Sequence, residues 1–278
     1  MKPHAVVLLA CTGAIAIVVA GSAVGRTSAE RTNIRAVMTA AEEVPTPRGD
    51  VSAARGTFTA AAERTATGAT LQWRLTFSNL SGNAITAHIH PGVKGQPGPI
   101  AVTLCGPCAS GVTGSENIDA TLLNTIQSGG AYVNVHTPSN PTGEIRAQAS
   151  TVATVRPSLN ARQELPRPKG AARATGRFTA TAVKTGNSAV VTWRLAFSRL
   201  TGRAVAAHIH LGRRGVAGPV SVSLCGPCRN GATGRATVSG AALLALETGR
   251  MYVNVHTSRN PAGEIRGQIP AAPLTIGP

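Results

Sequence analysis

The sequence is short of aromatic and acidic residues. Phe, Trp and Tyr make up 3% of the 278 residues, and 27 Lys and Arg outnumber 11 Asp and Glu, which gives a formal charge of +16. Proteins that bind single-stranded nucleic acid use aromatic side chains on which the bases stack. Neither a helix-turn-helix pattern nor a zinc-finger spacing is visible. These absences argue against nucleic acid as the partner, despite the positive charge.

The excess positive charge lies in the second half of the chain. Residues 31–150 carry eight Lys and Arg against seven Asp and Glu, whereas residues 151–278 carry seventeen against three. A surface of one charge sign attracts polymers and membranes of the opposite sign. The second half is therefore a candidate for binding anionic lipid or acidic polysaccharide. A basic surface that is merely solvated is the alternative.

One long apolar stretch is present, near the start of the sequence. Lys2 precedes an apolar run over residues 5–24, and small residues follow it. This layout is typical of an export signal over residues 1–29, or of an N-terminal membrane anchor. Leu8-Leu9-Ala10-Cys11 also resembles a lipoprotein cleavage box, which would place a lipid on Cys11. We expect an exported protein that is secreted, periplasmic or held at the cell envelope.

The remainder of the chain is a tandem duplication. Residues 56–148 recur 120 positions later, and residues 40–45 recur at an offset of 121. A repeat of this length predicts two equivalent folding units. We place the first unit at residues 31–150 and the second at residues 151–270, and we expect a loose tail over residues 271–278.

Each unit has the pattern of short strands joined by turns. Leu71, Trp73 and Leu75 alternate with polar residues, which is typical of a half-buried strand. A short helix is expected to start near Asp119 in the first unit and near Ser239 in the second. About seven short strands per unit predict an all-β fold, with two antiparallel, sandwich-like or barrel-like domains.

Six of the seven histidines form two matching sets. Because strand side chains alternate between faces, His88 and His90 share one face, and His136 shares a face with Asn134. Two imidazoles at alternate strand positions can bind one ion, and imidazole suits copper and zinc. The predicted metal ligands, on a common exterior patch of each unit, are His88, His90 and His136, and then His208, His210 and His256.

Other functions remain open for these histidines. They are alternatively surface residues that hydrogen-bond to Asn134, Glu144 or the backbone. The pattern is analogous to copper/zinc superoxide dismutase, where a His-x-His strand and a later histidine bind copper. The bridging histidine and the aspartate that hold zinc in that enzyme are absent here. A dismutase-like oxidoreductase is therefore an alternative to a protein without catalysis, and no residue is assigned a catalytic role.

Charged residues near the histidines have predicted supporting roles. Glu144 and Glu264 are candidates to accept hydrogen bonds from the imidazoles of a metal site. Glu144 is also expected to pair with Arg146 on the same strand face. Arg213 and Arg214 follow the second His-x-His strand and are candidates to attract a small anion.

Two Cys-Gly-Pro-Cys segments occupy matching positions, Cys105–Cys108 and Cys225–Cys228. They resemble a thioredoxin redox box, but that box opens a helix in a βαβ setting, and here a loop follows. Because neighbouring thiols pair in an oxidising compartment, we predict a disulfide within each segment. Thiol exchange and soft-metal binding are the alternatives.

A series of landmarks in this order resembles the chordin domain (CHRD) family. The series comprises Glu43-Val44-Pro45, the strand that ends at Phe77, Ala87-His88-Ile89-His90, Tyr132-Val133-Asn134-Val135-His136-Thr137 and Gly143-Glu144-Ile145-Arg146, and the second unit repeats it. The family occurs in tandem in the animal protein chordin and in many bacterial exported proteins. The resemblance implies an immunoglobulin-like β-fold outside the cytoplasm. It implies no activity, and the growth-factor partner of chordin is not carried over. We expect an exported binding or adhesion module of unknown ligand.

Overall fold

The computed structural model describes residues 31–275. The predicted export signal and the predicted lipid site at Cys11 lie outside these residues. Within residues 31–275, no helix is long and apolar enough to cross a membrane.

Short strands and one short helix make up each unit, as the sequence predicts. The first unit contains β1 (Arg31–Thr39), β2 (Arg55–Arg64), β3 (Gly68–Ser78), β4 (Thr86–Pro91), β5 (Val102–Cys105), β6 (Thr113–Asp119), α1 (Ala120–Gln127), β7 (Ala131–His136) and β8 (Ile145–Gln148). The second contains β9 (Ser150–Val155), β10 (Ser158–Asn160), β11 (Thr175–Thr185), β12 (Ser188–Ser198), β13 (Ala204–Leu211), β14 (Val220–Cys225), β15 (Ala232–Ser239), α2 (Gly240–Glu247), β16 (Met251–Thr257) and β17 (Ile265–Ile269).

Two antiparallel sheets form the first unit. One has the strand order β6-β3-β2-β1, and the other has the order β5-β4-β7-β8. Leu71, Trp73 and Leu75 are buried between the sheets with Ile89 and Val133, because alternate positions of each strand point to the same side. The second unit repeats this arrangement around its own core. The predicted all-β, sandwich-like fold is confirmed.

The two units share a strand. β9 pairs with β1 of the first unit through Asn33↔Val152 and with β11 of the second through Ala180↔Val155. The sheet therefore continues from one unit into the other, in the order β6-β3-β2-β1-β9-β11-β12-β15. β9 and β10 together are the repeat of β1, and β9 runs antiparallel to β1. The corresponding ends of the two units consequently point in opposite directions.

The tail predicted to be loose is packed as far as Thr275. Ala272 and Leu274 are buried, and the Ala272 N–H donates to the Leu246 carbonyl in α2 at 3.1 Å. The Thr275 hydroxyl donates to Glu247 at 2.7 Å. The prediction was wrong here because nothing in the prolines and alanines of this segment indicates the helix surface that receives Leu274.

Candidate metal centre

The structure brings the three predicted imidazoles of each unit together. In the first unit, β4 carries His88 and His90, and the neighbouring β7 carries His136. One ring nitrogen of each lies within 4.8 Å of the ring nitrogens of the other two. His208, His210 and His256 form the same cluster in the second unit.

Backbone carbonyls orient two of the imidazoles. His90 Nδ1 lies 3.0 Å from the carbonyl oxygen of Gly98, and His136 Nδ1 lies 3.0 Å from that of Pro141. A carbonyl oxygen only accepts, so each Nδ1 carries the proton and each Nε2 presents a lone pair. The second unit repeats both bonds at 2.9 Å, from His210 to Gly218 and from His256 to Pro261.

His88 completes the cluster from the other side. Its Nδ1 lies 3.0 Å from His136 Nε2, and its Nε2 lies 2.9 Å from the Thr86 hydroxyl. The Thr86 hydroxyl donates its own proton to the Cys105 carbonyl at 3.0 Å, so it accepts from His88 Nε2–H. His88 Nδ1 then presents a lone pair toward His136. All three imidazoles therefore direct lone pairs into the same small space.

An asparagine oxygen faces this space as well. The Glu43 carboxyl is buried beside the Asn134 side chain, and Asn134 Oδ1 is the atom that faces the imidazoles. This oxygen lies 3.1 Å from His90 Nε2 and 3.0 Å from His136 Nε2. In this arrangement the cluster is rich in acceptors and short of donors, which is the character of a cation site.

The second cluster differs in its asparagine. Asn254 Nδ2 donates to Glu164 at 2.9 Å, but Asn254 Oδ1 and His210 Nε2 are both buried without a hydrogen-bond partner. Buried polar atoms nearly always have partners. These two atoms are therefore available to a further group at the second cluster, a water or an ion.

The imidazoles are buried in the first unit, whereas an exterior patch was predicted. His88, His90 and His136 are 6–7% exposed, and the second set is half-buried. Burial, with repulsion from His136 and His90, lowers the pKa of His88 to about 4. Burial also lowers the pKa of His136, His208 and His256. Neutral imidazole is the form that ligates metals.

An aromatic and cationic stack covers the first cluster. The rings of His90 and Tyr132 are parallel, with centroids 4.7 Å apart, and the Arg146 guanidinium lies 3.4 Å from the Tyr132 centroid. Arg146 Nη2 donates to the carbonyls of Gln96 and Val93 at 2.7 and 3.2 Å. Arg146 thus fixes the loop between β4 and β5 over the imidazoles. The exterior prediction was wrong because strand alternation does not reveal a covering loop.

The two glutamates predicted to support the imidazoles lie elsewhere. Glu144 accepts from the Ser81 N–H at 2.7 Å, the Thr137 hydroxyl at 2.6 Å and the Asn140 amide at 3.0 Å. Glu264 makes the corresponding bonds in the second unit. Among the described residues, neither carboxylate forms a salt bridge with an arginine. Backbone carbonyl oxygens, instead of these carboxylates, accept the hydrogen bonds from the imidazoles. This could not be predicted, because a pattern of side chains does not indicate where backbone groups lie.

Sequence reasoning also missed Glu43 and Glu164. Both are buried beside the asparagines of the clusters, and their only signal was the repeated Glu-x-Pro segment. Arg213 and Arg214 are exposed on the loop after β13, and their anion-binding role stays a prediction.

Both predicted disulfides are present, Cys105–Cys108 and Cys225–Cys228. In this state their sulfurs are not thiolates, which leaves the imidazoles as the candidate metal ligands of each unit. The alternative of soft-metal binding by these cysteines therefore does not apply to the oxidised protein.

Comparison with known proteins supports the two-unit organisation. The family model described as CHRD domain matches residues 34–149 and again residues 155–269. No curated protein and no solved structure matches the chain.

Proposed function

We propose a function for this chain from the premise that it belongs to the CHRD domain family through both of its units. The protein is exported, and three imidazoles in each unit bind a copper or zinc ion. Export is supported by the two disulfides, because disulfides persist in oxidising compartments outside the cytoplasm. The sequence predicts an exported binding module of unknown ligand, and in this proposal the metal ion is that ligand.

The observation that carries the metal proposal is the fixed direction of the lone pairs. In both units, the outward Nδ1 of two imidazoles donates to a carbonyl, and the inward Nε2 is left unprotonated. Metal-bound histidines usually donate their second nitrogen to such an acceptor. The carbonyls therefore prepare the imidazoles for an ion at the centre of the cluster.

The dimensions fit an ion of this class. Imidazole nitrogens bind copper and zinc at about 2.0–2.1 Å, and the nitrogens of each cluster lie within 4.8 Å of one another. Closing on an ion needs side-chain movements of roughly 1 Å at most. An amide oxygen, Asn134 Oδ1 or Asn254 Oδ1, is available as a further neighbour of the ion.

A purely hydrogen-bonded histidine core is the competing explanation. It accounts for the first unit only if the imidazoles share protons among themselves. In the second unit it leaves His210 Nε2 and Asn254 Oδ1 without a protein partner. The dismutase-like alternative gains no support, since burial of the first cluster favours a held ion over a freely diffusing substrate.

Metal titration of the full chain tests the proposal. We expect stripped protein to take up two Cu²⁺ or Zn²⁺ ions per chain in calorimetry, because both units carry the cluster. His136→Ala should leave one ion, and His136→Ala/His256→Ala should leave none, while circular dichroism reports an intact β-fold. Gln72→Ala, on the exposed face of β3, is the control and should still bind two. Uptake of the same number of ions by the double variant would disprove the proposal.

A further inference from the structure

Cations of the second unit have no carboxylates to neutralise them. Of its three acidic residues, Glu164 and Glu264 are buried, and Glu247 is bonded to Lys184 at 3.0 Å. Among residues 151–275, no other Lys or Arg forms a salt bridge. The exposed cations of this unit therefore repel one another, and an anionic partner would relieve this repulsion.

Strand direction gathers many of these cations at one end of the unit. β12, β14 and β16 end there, and the loops that follow them connect to β13, β15 and β17. We name the following exposed residues of these loops, and of the loop before β11, the basic end: Arg167, Lys169, Arg173, Arg199, Arg203, Arg229 and Arg259.

Hydrogen bonds hold the loops of the basic end in place. The Lys169 N–H donates to Asn260 Oδ1 at 2.7 Å, and Asn260 Nδ2 donates to the Thr201 hydroxyl at 3.1 Å. Glu264 accepts from the Thr201 and Thr257 hydroxyls at 2.6 Å each. Three separate loops are thus tied to one buried carboxylate, and their cations are presented together.

The first unit shows that the fold does not require these cations. It builds the same network around Glu144. At the seven positions that match the basic end it has Thr46, Arg48, Ala53, Asn79, Asn83, Ala109 and Ser139, of which one is a cation. It also has one additional residue in the loop before β2, the exposed Asp50, which has no counterpart in the second unit. At these positions the units differ only in exposed side chains.

We propose that the basic end docks on an anionic phospholipid surface. Charge complementarity favours any polyanion, but two exposed apolar side chains flank the cations. Leu165 is 40% exposed next to the loop of Arg167, and Val205 is 44% exposed beside Arg203. Apolar side chains among cations are typical of surfaces that enter the lipid headgroup region. The basic end consists of four loops at one end of the unit, and this arrangement suits a flat partner such as a membrane. An extended polymer chain would bind better in a groove.

Vesicle binding of the full chain tests this docking surface. We expect the protein to sediment with phosphatidylcholine vesicles that contain phosphatidylglycerol, to ignore vesicles of phosphatidylcholine alone, and to dissociate as salt rises. The variant Arg167→Thr/Arg199→Asn/Arg203→Asn/Arg259→Ser takes its residues from the first unit and so preserves the fold. Since each cation near an anionic surface contributes about fivefold in affinity, its affinity should fall on the order of a hundredfold or more.

A matched control removes the same charge away from the basic end. Arg162→Ala/Arg213→Val/Arg235→Ser/Arg250→Gly also uses first-unit residues, and it should keep most of the affinity for the vesicles. Equal losses in the two variants would show a non-specific effect of net charge and overturn the proposal. Retention by dextran sulfate resin without vesicle binding would overturn it in favour of an acidic polymer. The stripped and the metal-loaded protein should bind vesicles equally, so this result is independent of the metal proposal.

Discussion

Glu43 and Glu164 are the residues at which burial and charge conflict most directly. Glu43 lies against Gly143, where an added Cβ would come within 2.3 Å of its Oε2. Burial raises the pKa of Glu43 to about 7, although the Val44 N–H and Arg146 favour the ionised form. Burial raises the pKa of Glu164 to about 7 as well. Near neutral pH, both carboxyls are therefore poised between a protonated and a charged state.

This conflict predicts how stability depends on pH. Between pH 4.5 and about 7, the folded protein keeps a proton on Glu43 that the unfolded chain releases. The free energy of unfolding should therefore fall as pH rises through this range, by on the order of 3 kcal/mol for this carboxyl. Glu43→Gln cannot ionise, so urea denaturation at a series of pH values should show a smaller fall for the variant.

The histidines also make stability depend on pH. The quantity to compare is therefore the difference in unfolding free energy between wild type and Glu43→Gln. The lowered pKa values of the histidines have the opposite sign, because His88 with a pKa of about 4 loses its contribution to stability as pH falls from about 6.5. This contribution is common to wild type and Glu43→Gln and cancels in the difference. Parallel stability curves for the two proteins would contradict the assignment of the raised pKa to Glu43.

At this scale the sequence predicted which residues meet, but not what surrounds them. Alternation along β4 and the repeat of the motif were enough to bring His88, His90 and His136 together. The partners of these residues could not be predicted, because Gly98 and Pro141 act through backbone carbonyls. Glu43 was missed because it arrives from a loop 45 positions before His88, and sequence spacing carries no information about that approach.

The two helices offer a matched comparison at the scale of the element. Asp119 caps α1 by accepting from the Leu122 N–H at 2.7 Å, whereas the side chain of Ser239 makes no such bond at α2. Both starts were predicted from the sequence, since each position carries a residue that favours caps. The difference between them depends on backbone geometry, as Gly240 follows Ser239 with a φ of +52°.

We predict that the two caps differ in their contribution to stability. Asp119→Ala should lower the free energy of unfolding by about 1 kcal/mol, because it removes the bond to Leu122. Ser239→Ala is the control and should change it by only a few tenths of that value. Chemical denaturation measures both, and equal losses would show that the Asp119 bond does not stabilise α1.

For strands β4 and β7, the sequence pattern did not predict how deeply the polar face is buried. Their apolar residues predicted one buried face, and the structure buries the other face too. A strand that alternates valine with histidine, asparagine and tyrosine has the appearance of a half-exposed strand. In the structure this polar face lies beneath other chain segments, among them the loop held by Arg146.

At the scale of the whole molecule, β9 determines whether the two units unfold together. It pairs along one edge with β1 and along the other with β11. Removing β9 from either sheet exposes unpaired backbone groups of both units. The sequence predicted the boundary at residues 150–151 but not the shared strand, because a repeat shows that two units are equivalent and not how they pair.

We therefore predict a single cooperative unfolding transition for the whole chain. Calorimetry should give one peak whose van't Hoff and calorimetric enthalpies agree. Ala153→Pro, in the middle of β9, removes a backbone donor from the ladder and should lower the midpoint and split the peak. Two separate transitions in the unaltered protein would show that the shared strand does not couple the units.

The antiparallel pairing of β9 with β1 has one more consequence. Equivalent strands that run in opposite directions relate the two halves by an approximate twofold rotation, so the loops of one half face away from the loops of the other. A protein arranged in this way cannot grip a single object between its two sets of loops. If the basic end docks on lipid as proposed, the corresponding loops of the first unit point away from the membrane.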